Sequence, residues 1–563
     1  MKNKNIILFL LVMLSNLVLR SQDSIHFELV KNINQYSENG QYDESSYPHF
    51  LTSLGDKFVF VAFGDSVGNE LYISDGTENG TYLLKNINSY HQTVSNPYDN
   101  SSYPNELTKL GNKIIFYADD DIYGYEPWIT DGTPDGTHIL KDINAGEYAS
   151  YPENFYYYNE KLFFGADDTG SMIRSLYVTD GTEQNTYKLK DINNEDVLNP
   201  SDFYQYNGIL YFSAEESSDS KELWRTDGTT GGTYMLKNLC NEYGGSYPSE
   251  FIEYNNLLFF SAQGDSTGIE LWVSDGTEGG TYIYKNINEF SGNGSNPSNF
   301  IVFNNKLYFT ADDGVNGRRI WVIDGDTTHI TLDVLQNNYS YNYSRFFKFK
   351  NLLFFTLNVT EFGDKTLWCT DGTSENTFEL KAYDNTSVEN PERFIEWNNK
   401  VYFIGQRQNT ENNQIWSTDG TIANTKQLFD DSISGWNPVG SFGLFLFENE
   451  IYLSAIFDIN IGYELYKITD KSVSDIKKGN VISDVIEVYP NPSAEIISIK
   501  FKNKKSNSNI FIYITDVNGK IMYKRRKMSE NIENINISKF RNGLYLVVLT
   551  DSGRKYYSKF IKQ

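Results

Sequence analysis

The sequence predicts an all-β protein in which a single β-propeller is followed by a small β-sandwich. Three observations predict the propeller. A motif close to Glu-Leu-Trp-x-x-Asp-Gly-Thr recurs about every 48 residues, a repeat length typical of propeller blades. Each repeat contains four runs of β-branched and aromatic residues, which is the composition of strands. The run Phe27–Asn34 copies the fourth strand of a repeat, although no other strand precedes it.

The number of repeats predicts the size of the ring. Nine copies of the motif follow one another, of which Glu222–Thr229 and Glu270–Thr277 are complete and Glu464–Asp470 is degenerate. The ninth repeat lacks a good fourth strand, and the N-terminal run Phe27–Asn34 can supply it, which removes the open sheet edges. We therefore expect nine four-stranded blades closed by the N-terminal strand, with eight blades as the alternative.

The fifth repeat shows the order of elements within a blade. Its strands A to D are Phe251–Tyr254, Leu257–Ala262, Glu270–Ser274 and Thr281–Ile287. Strands A and B are joined by two residues rich in Asn and Gly, a strong hairpin signal. Strands C and D are joined by Asp-Gly-Thr, whose Asp side chain can accept backbone hydrogen bonds just ahead of it while Gly permits a positive φ.

The Asp of this motif could instead be a recurring metal or carbohydrate ligand. Because it recurs in nearly every blade, whereas a ligand site needs one or two copies, we interpret it as a structural turn residue. These turn residues are Asp75, Asp131, Asp180, Asp227, Asp275, Asp371 and Asp419.

An aromatic residue recurs in every strand C, and it could form a platform for sugars. Its regular recurrence favours packing between blades. The nine positions are Tyr72, Trp128, Tyr177, Trp224, Trp272, Trp321, Trp368, Trp416 and Tyr466.

The links between strands B and C are acidic, and Glu70, Glu126, Glu222 or Glu270 follows a few residues later. Oxygen-rich clusters suit Ca²⁺, but no spacing matches an EF-hand loop. We therefore interpret these acids as solvated turn residues, with a calcium site as the alternative. We therefore expect no cofactor, with Ca²⁺ as the alternative. Its candidate ligands are Asp119, Asp120, Asp121, Asp167, Asp168, Asp312 and Asp313.

Strand order also predicts which face of the ring binds a ligand. Links A–B and C–D share one face and are monotonous, whereas links B–C and D–A share the other and vary in sequence. Variable loops on a rigid scaffold usually carry function, and these are rich in Tyr, Asn, Ser and Gly. The candidates for contacting a neutral or cationic ligand are Tyr90, Tyr148, Tyr243 and Tyr339.

The two ends of the chain predict export. The apolar run Ile6–Leu19 follows two lysines and is typical of a signal peptide, whereas no segment is long enough to predict a transmembrane helix. A formal net charge of −26 makes nucleic acid an improbable partner. From about Asp484 onward the composition becomes basic, which marks a domain boundary.

The basic tail contains β-branched runs split by a turn with Asn518 and Gly519, which predicts a small antiparallel sandwich. It opens with Tyr489, Pro490, Asn491 and Pro492 and ends in Lys-Phe-Ile-Lys. In these motifs it resembles the type A C-terminal sorting domain of the type IX secretion system. The resemblance implies a Bacteroidetes-type bacterium, passage through the periplasm, and contact with the type IX machinery. A carbohydrate-binding sandwich is the alternative.

The repeats themselves resemble the ELWxxDGT repeat family, which implies a secreted or surface protein and supplies no established reaction. The five histidines form no nucleophile or metal-pair motif, and we find no His-Glu-x-x-His or P-loop. We therefore expect a non-enzymatic binding or adhesion protein with an extracellular glycan or protein ligand. A secreted enzyme acting on a polysaccharide or glycoconjugate is the competing class, and a surface-layer role is the third.

The expected boundaries are a signal peptide at residues 1–21, the propeller at 22–478, a linker at 479–486 and the sorting domain at 487–563.

Overall fold

A computed structural model describes most of the chain. The described residues are 25–34, 45–64, 67–89, 100–216, 220–241, 244–290, 292–325, 327–332, 346–358, 364–428, 439–457, 461–470, 486–489, 493, 495–501, 510–516, 521–526, 532–551 and 554–562. The expected signal peptide and all but the last residue of the expected linker lie outside them. The chain divides into two compact units, of which one is Phe27–Ile468 and the other contains the C-terminal residues from Thr469.

The larger unit consists of nine four-stranded antiparallel blades. The first five are β2 (His49–Leu54), β3 (Lys57–Gly64), β4 (Gly68–Ser74), β5 (Tyr82–Lys85); β6 (Asn105–Leu110), β7 (Lys113–Asp119), β8 (Tyr125–Thr130), β9 (His138–Ile139); β10 (Glu153–Tyr158), β11 (Lys161–Ala166), β12 (Ser175–Thr179), β13 (Tyr187–Lys188); β14 (Leu198–Tyr206), β15 (Ile209–Glu215), β16 (Lys221–Thr226), β17 (Tyr234–Lys237); and β18 (Ser249–Tyr254), β19 (Leu257–Gly264), β20 (Gly268–Ser274), β21 (Tyr282–Lys285). Single 3₁₀ turns lie at Thr230–Gly232 and Ile422–Asn424.

The remaining blades follow the same order, and the N-terminal strand β1 (Ile25–Lys31) belongs to the ninth. They are β22 (Ser298–Phe303), β23 (Lys306–Asp312), β24 (Arg318–Asp324), β25 (Thr327–Leu332); β26 (Phe347–Phe349), β27 (Leu352–Asn358), β28 (Lys365–Thr370), β29 (Phe378–Glu379); β30 (Val388–Trp397), β31 (Lys400–Arg407), β32 (Asn413–Thr418), β33 (Lys426–Gln427); and β34 (Val439–Phe447), β35 (Glu450–Ala455), β36 (Glu464–Asp470).

The ring closes through the N-terminal strand. The ninth blade has the strand order β1-β36-β35-β34, so β1 supplies its fourth strand. The inner strands of most successive blades contact each other, and those of the first and ninth blades, β2 and β34, do so as well. The first strand of each blade therefore lines the axis. The prediction of nine blades closed by the N-terminal strand is confirmed, and the alternative of eight is wrong.

Two-residue turns join the inner strand of each blade to the next strand. In the fifth blade the turn residues Asn255 and Asn256 have φ values of 50° and 59°. Asn tolerates this left-handed conformation better than most residues, and paired positive φ values give the twist that a tight hairpin needs. These hairpins could be predicted from the sequence because their signal, two adjacent turn residues rich in Asn and Gly, is local.

Neighbouring blades are joined by shared hydrophobic clusters. Val59 and Leu71 of the first blade, for example, pack with Ile114 and Phe116 of the second. Tyrosines that end inner strands add polar links, as where the Tyr206 hydroxyl donates to the Asn256 carbonyl of the next blade at 2.6 Å. Repeated packing of this kind gives a rigid scaffold for the loops.

The C-terminal unit is a β-sandwich of two antiparallel sheets. One sheet has the order β37-β38-β41 and the other β40-β39-β42-β43, and a shared core of buried side chains that includes Ile499, Ile514 and Phe560 lies between them. The strands are β37 (Ile486–Tyr489), β38 (Ile496–Phe501), β39 (Ile510–Asp516), β40 (Ile521–Arg526), β41 (Ile532–Asn536), β42 (Gly543–Asp551) and β43 (Arg554–Lys562). The predicted sandwich is confirmed. No helix among the described residues combines the length and the apolar character that a bilayer crossing requires.

Candidate functional site

The strand order gives the ring two different faces. Inner hairpin turns and Asp-Gly-Thr turns lie on one, here called the turn face. Loops between the second and third strands, and crossovers to the next blade, lie on the other, here called the crossover face. Sequence variation is concentrated on the crossover face, so the geometry that holds its loops decides what the ring can present.

A buried glutamate in the third strand organises the crossover of five blades. In the second blade, Glu126 accepts hydrogen bonds from the backbone N–H groups of Ile143 and Asn144 at 2.9 and 3.2 Å, and from the Ser150 hydroxyl at 2.7 Å. One carboxylate thus fixes both ends of the crossover. The five glutamates are Glu70, Glu126, Glu222, Glu270 and Glu464.

Sequence reasoning placed four of these glutamates with the solvated acidic links, and that placement is wrong, because all are buried. Their partner serines could have been found from the repeats. A Ser two residues before the proline, as in Ser102-Tyr103-Pro104, follows each of the five units with this Glu and is missing after units three, seven and eight. Co-occurrence within one chain is the signature of a contact.

Burial raises the pKa of these carboxyl groups, against the opposing effect of the serine and backbone hydrogen bonds. The pKa of Glu70 rises to about 8, that of Glu126 to about 7 and that of Glu464 to about 8. The pKa values of Glu222 and Glu270 are raised for the same reason. Several crossovers are therefore held by carboxyl groups that keep a proton up to neutral pH.

The proposed calcium ligands have other partners in the structure. Asp120 accepts from the N–H groups of Ile122 and Tyr123, at 3.0 and 2.9 Å, and Asp167 from those of Thr169 and Gly170, at 2.8 and 3.0 Å. Asp119, Asp312 and Asp313 likewise accept backbone N–H groups, and Asp168 pairs with Lys188.

The grouping of acidic side chains in these loops bears on the calcium alternative. Within the described part of the chain, no three His, Cys, Asp or Glu side chains are grouped so that they could hold a metal ion. Asp121, the last of the candidates, donates its own N–H group to Asp119. Most of the candidate calcium ligands among Asp119–Asp121, Asp167, Asp168, Asp312 and Asp313 thus cap the backbone of their own loops.

Capped loops of the second and third blades present a group of exposed apolar side chains. Tyr148 is 70% exposed and Met172 is 72% exposed, which is unusual for side chains of this size. We define the blade 2–3 patch as the exposed residues Ile122, Tyr123, Tyr148, Tyr151, Met172 and Ile173. It combines two loops between second and third strands with the crossover between the blades.

Direct contacts hold the three segments together. The Tyr125 and Tyr151 rings stack with centroids 5.7 Å apart, and the Tyr151 N–H donates to the Tyr125 carbonyl at 3.2 Å. The Arg174 Nε donates to the Tyr151 carbonyl at 2.9 Å, and its guanidinium pairs with Glu153 at 3.3 Å. The patch therefore lies on a preformed surface.

Of the four tyrosines predicted to contact a ligand, Tyr148 is exposed on the crossover face within this patch. Tyr90, Tyr243 and Tyr339 lie outside the described residues. The aliphatic members of the patch were not predicted, because nothing in the sequence distinguishes an exposed Ile or Met from a buried one.

The Asp-Gly-Thr turns are closed by their own side chains. In the fourth blade, Asp227 Oδ1 accepts from the Thr229 N–H at 2.9 Å and from the Thr229 hydroxyl at 2.7 Å. The same pair of bonds forms at the six other predicted turn positions. The hydrogen bond donated by the Thr229 hydroxyl lowers the pKa of Asp227. The aromatic residues of the third strands are all buried.

Comparison with known proteins identifies the C-terminal unit. Residues 487–563 match the family model for the secretion system C-terminal sorting domain. The predicted type IX sorting domain is thereby confirmed, and the protein is exported, either secreted or attached to the outer surface. Of the predicted motif, Tyr489 lies at the end of β37, whereas Pro490, Asn491 and Pro492 lie outside the described residues.

No curated protein matches the chain. Among solved structures, the chain is similar to a puromycin-hydrolyzing peptidase of Mycobacterium tuberculosis, at 10% identity and a TM-score of 0.37, over 75% of this chain and 60% of that one. It is also similar to the β-propeller domain of the Trilobed protease from Pyrococcus furiosus, at 12% identity and a TM-score of 0.31, over 69% of this chain and 98% of that one. The chain spans about three fifths of the length of the peptidase. Likeness at this level says nothing about activity.

The buried glutamates predict that stability falls with rising pH. Above pH 4.5 the unfolded chain loses protons that the folded protein retains, at Glu126 up to about pH 7 and at Glu70 and Glu464 up to about pH 8. The free energy of unfolding should therefore decrease across this window, by about 1 kcal/mol per pH unit and group. Urea unfolding at pH 5, 6.5 and 8 measures the slope.

Gln at the same three positions should flatten that slope, and the eighth blade already carries Gln414 at the equivalent position. The matched control replaces Glu78, Glu183 and Glu278 with Gln, since these occupy exposed turn positions. If the free energy of unfolding had the same pH dependence in the two triple variants, the buried glutamates would not be its cause.

The turn hydrogen bonds predict a metal-independent loss of stability. Asp227→Ala removes the acceptor for both Thr229 donors and should lower the free energy of unfolding by about 1 kcal/mol at pH 7. Thermal melting with Ca²⁺ and with a chelator should give the same difference. A loss seen only with Ca²⁺ would mean that the turn holds a metal ion.

Proposed function

We propose that the exported ring is a non-enzymatic binding protein, used for adhesion, and that it holds an extracellular protein ligand at the blade 2–3 patch. The observation that carries the proposal is the exposure of six large apolar side chains on three segments that contact one another. Grouped apolar exposure of this kind marks interaction sites on soluble proteins.

The composition of the patch favours a protein ligand over a glycan. Sugars stack on the flat faces of aromatic rings, whereas Ile122, Met172 and Ile173 offer aliphatic surface, which complements apolar side chains. The tyrosines add area and hydroxyl groups at little entropic cost. An apolar centre with a polar rim is the usual anatomy of a protein interface.

Charge around the patch restricts the ligand further. The flanking loops contain Asp119, Asp120, Asp121 and Glu147, and the whole chain has a formal net charge of −26. A strongly acidic partner would therefore be repelled. We infer a neutral or basic protein surface with an apolar centre.

The loops that carry the patch are held in fixed conformations, which favours a role in binding. Asp120 and Asp167 hold the loops through backbone hydrogen bonds, so little loop entropy is lost when a ligand contacts them.

The binding proposal is tested with immobilised extracellular proteins and glycans probed by the full-length protein. The triple variant Ile122→Ser, Tyr148→Ser and Met172→Ser should weaken capture of the best protein ligand at least tenfold, roughly the loss of one hot-spot contact, with little change in melting temperature. The matched control, Tyr82→Ser, Tyr282→Ser and Phe378→Ser, removes three exposed aromatic residues of outer strands.

Equal loss in both variants would show non-specific apolar adhesion and contradict the assignment. Capture of glycans alone, with loss in the patch variant, would retain the site and reject the protein ligand.

The tail predicts a separate effect on transport. Deleting residues 487–563 removes the sorting domain and should leave a folded ring in the periplasm, because β1 and β36 close the ring without it. Cell fractionation and protease resistance of the retained protein measure both outcomes. Normal appearance of the truncated protein in the medium would contradict the role of the tail.

A further inference from the structure

A small cavity opens on the inner strands of the fourth, fifth and sixth blades. Its volume is about 260 Å³, and it is lined by Asp202, Phe203, Tyr204, Glu250, Phe251 and Phe300. These residues lie on β14, β18 and β22, which line the axis of the ring. The cavity shares no residue with the blade 2–3 patch.

Aromatic rings of the cavity are held in place by their own blades. Phe203 packs on Phe212 with centroids 5.3 Å apart, and Phe251 packs on Phe260 at 5.4 Å. Tyr204 stacks with Phe251 at 6.5 Å across the boundary between blades. The Tyr204 hydroxyl accepts the Glu253 N–H at 3.0 Å, which fixes the ring against the next blade. These contacts hold the aromatic walls of the cavity in place.

The two carboxylates occupy equivalent positions in successive blades. Asp202 and Glu250 both have left-handed backbone conformations, with φ values of 55° and 58°. Glu250 Oε2 accepts the Asn299 N–H at 3.0 Å. The Asp202 carboxylate makes no hydrogen bond or ion pair with another described side chain, and the cavity lining contains no Lys or Arg to neutralise either acid.

Comparison around the ring shows that the fold does not require an acid here. The second residue after the proline has a positive φ in seven inner strands, and it differs from blade to blade. These residues are Phe50, Glu106, Asn154, Asp202, Glu250, Asn299 and Arg393. Because Asn suits this conformation best, the backbone alone would favour Asn throughout. Where the residue is Glu, it also ties neighbouring blades together, since Glu106 and Glu250 accept backbone N–H groups of the next inner strand, from Phe155 at 3.2 Å and from Asn299 at 3.0 Å.

We propose that this cavity binds an organic cation, namely the ammonium or guanidinium group of a lysine or arginine side chain on an extracellular peptide. Carboxylates supply charge-assisted hydrogen bonds, and aromatic faces attract a cation that is being desolvated. The cavity is smaller than a site for a drug-sized molecule, so it accommodates one side chain. A calcium ion would need six to eight oxygen ligands, which two carboxylates among aromatic carbons do not provide.

The proposal is tested by saturation-transfer NMR and calorimetry on the full-length protein. The probes are the Nα-acetyl methylamides of lysine, arginine and norleucine, of which norleucine has a similar alkyl chain and no charge. Lysine and arginine probes should bind at least tenfold more tightly than norleucine. Equal binding of all three, or no binding of the cations, would overturn the proposal, and this comparison requires no variant.

Variants then locate the site. Asp202→Asn with Glu250→Gln should weaken binding of the lysine probe at least tenfold. The control is Glu106→Gln with Glu396→Gln, which removes the same charge from inner strands of other blades. Retained binding in the control, with an unchanged melting temperature in both variants, supports the site. Equal loss in both would show a diffuse acidic field in the ring and would overturn the assignment to this cavity.

Discussion

The ring depends on how the outer end of each blade is tied to the beginning of the next. In five blades a buried glutamate does this, by accepting backbone hydrogen bonds at the start of a crossover and a serine hydroxyl at its end. An unpaired backbone group at this depth would cost free energy, so the carboxyl group satisfies donors that no strand can reach. The position of the crossover in these five blades follows from this contact.

Two of the blades that lack the glutamate, the third and the seventh, use their backbone instead. In the third blade Ser175 replaces it and pairs directly with Leu198 of the next inner strand, and in the seventh Thr366 pairs with Glu389. The shorter side chains let the next inner strand extend outward, so that β14 and β30 are longer than most of their equivalents. The ring therefore contains two ways of hydrogen-bonding a crossover, through a buried glutamate or through direct pairing of strands. The residue at one position of the third strand decides which of them forms.

Much of the fold could be predicted because its signals are local. The Asn-rich turns, the Asp-Gly-Thr turns and the strand at Phe27–Asn34 can each be recognised from a stretch of a few residues. The site could be predicted only in part, since it depends on which loops meet. Tyr148 was predicted as a ligand contact because of the composition of its loop, whereas Ile122 and Met172 are recognised as members of the patch only by their exposure. Aspartates such as Asp120 suggested a metal because the sequence does not show that their nearest donors are amides of the same loop.

The ninth blade joins the two ends of the propeller without a covalent link. Glu464 accepts the N–H group of Ile33 across a separation of 431 residues along the chain. Bringing such distant segments together costs more chain entropy than forming any hairpin within a blade, and contacts of long sequence separation form slowly. Blades built from consecutive hairpins should therefore assemble before the seam, and the ring remains an open arc until its last strands have been synthesised. The step that completes folding of this molecule is therefore the circularisation of the ring.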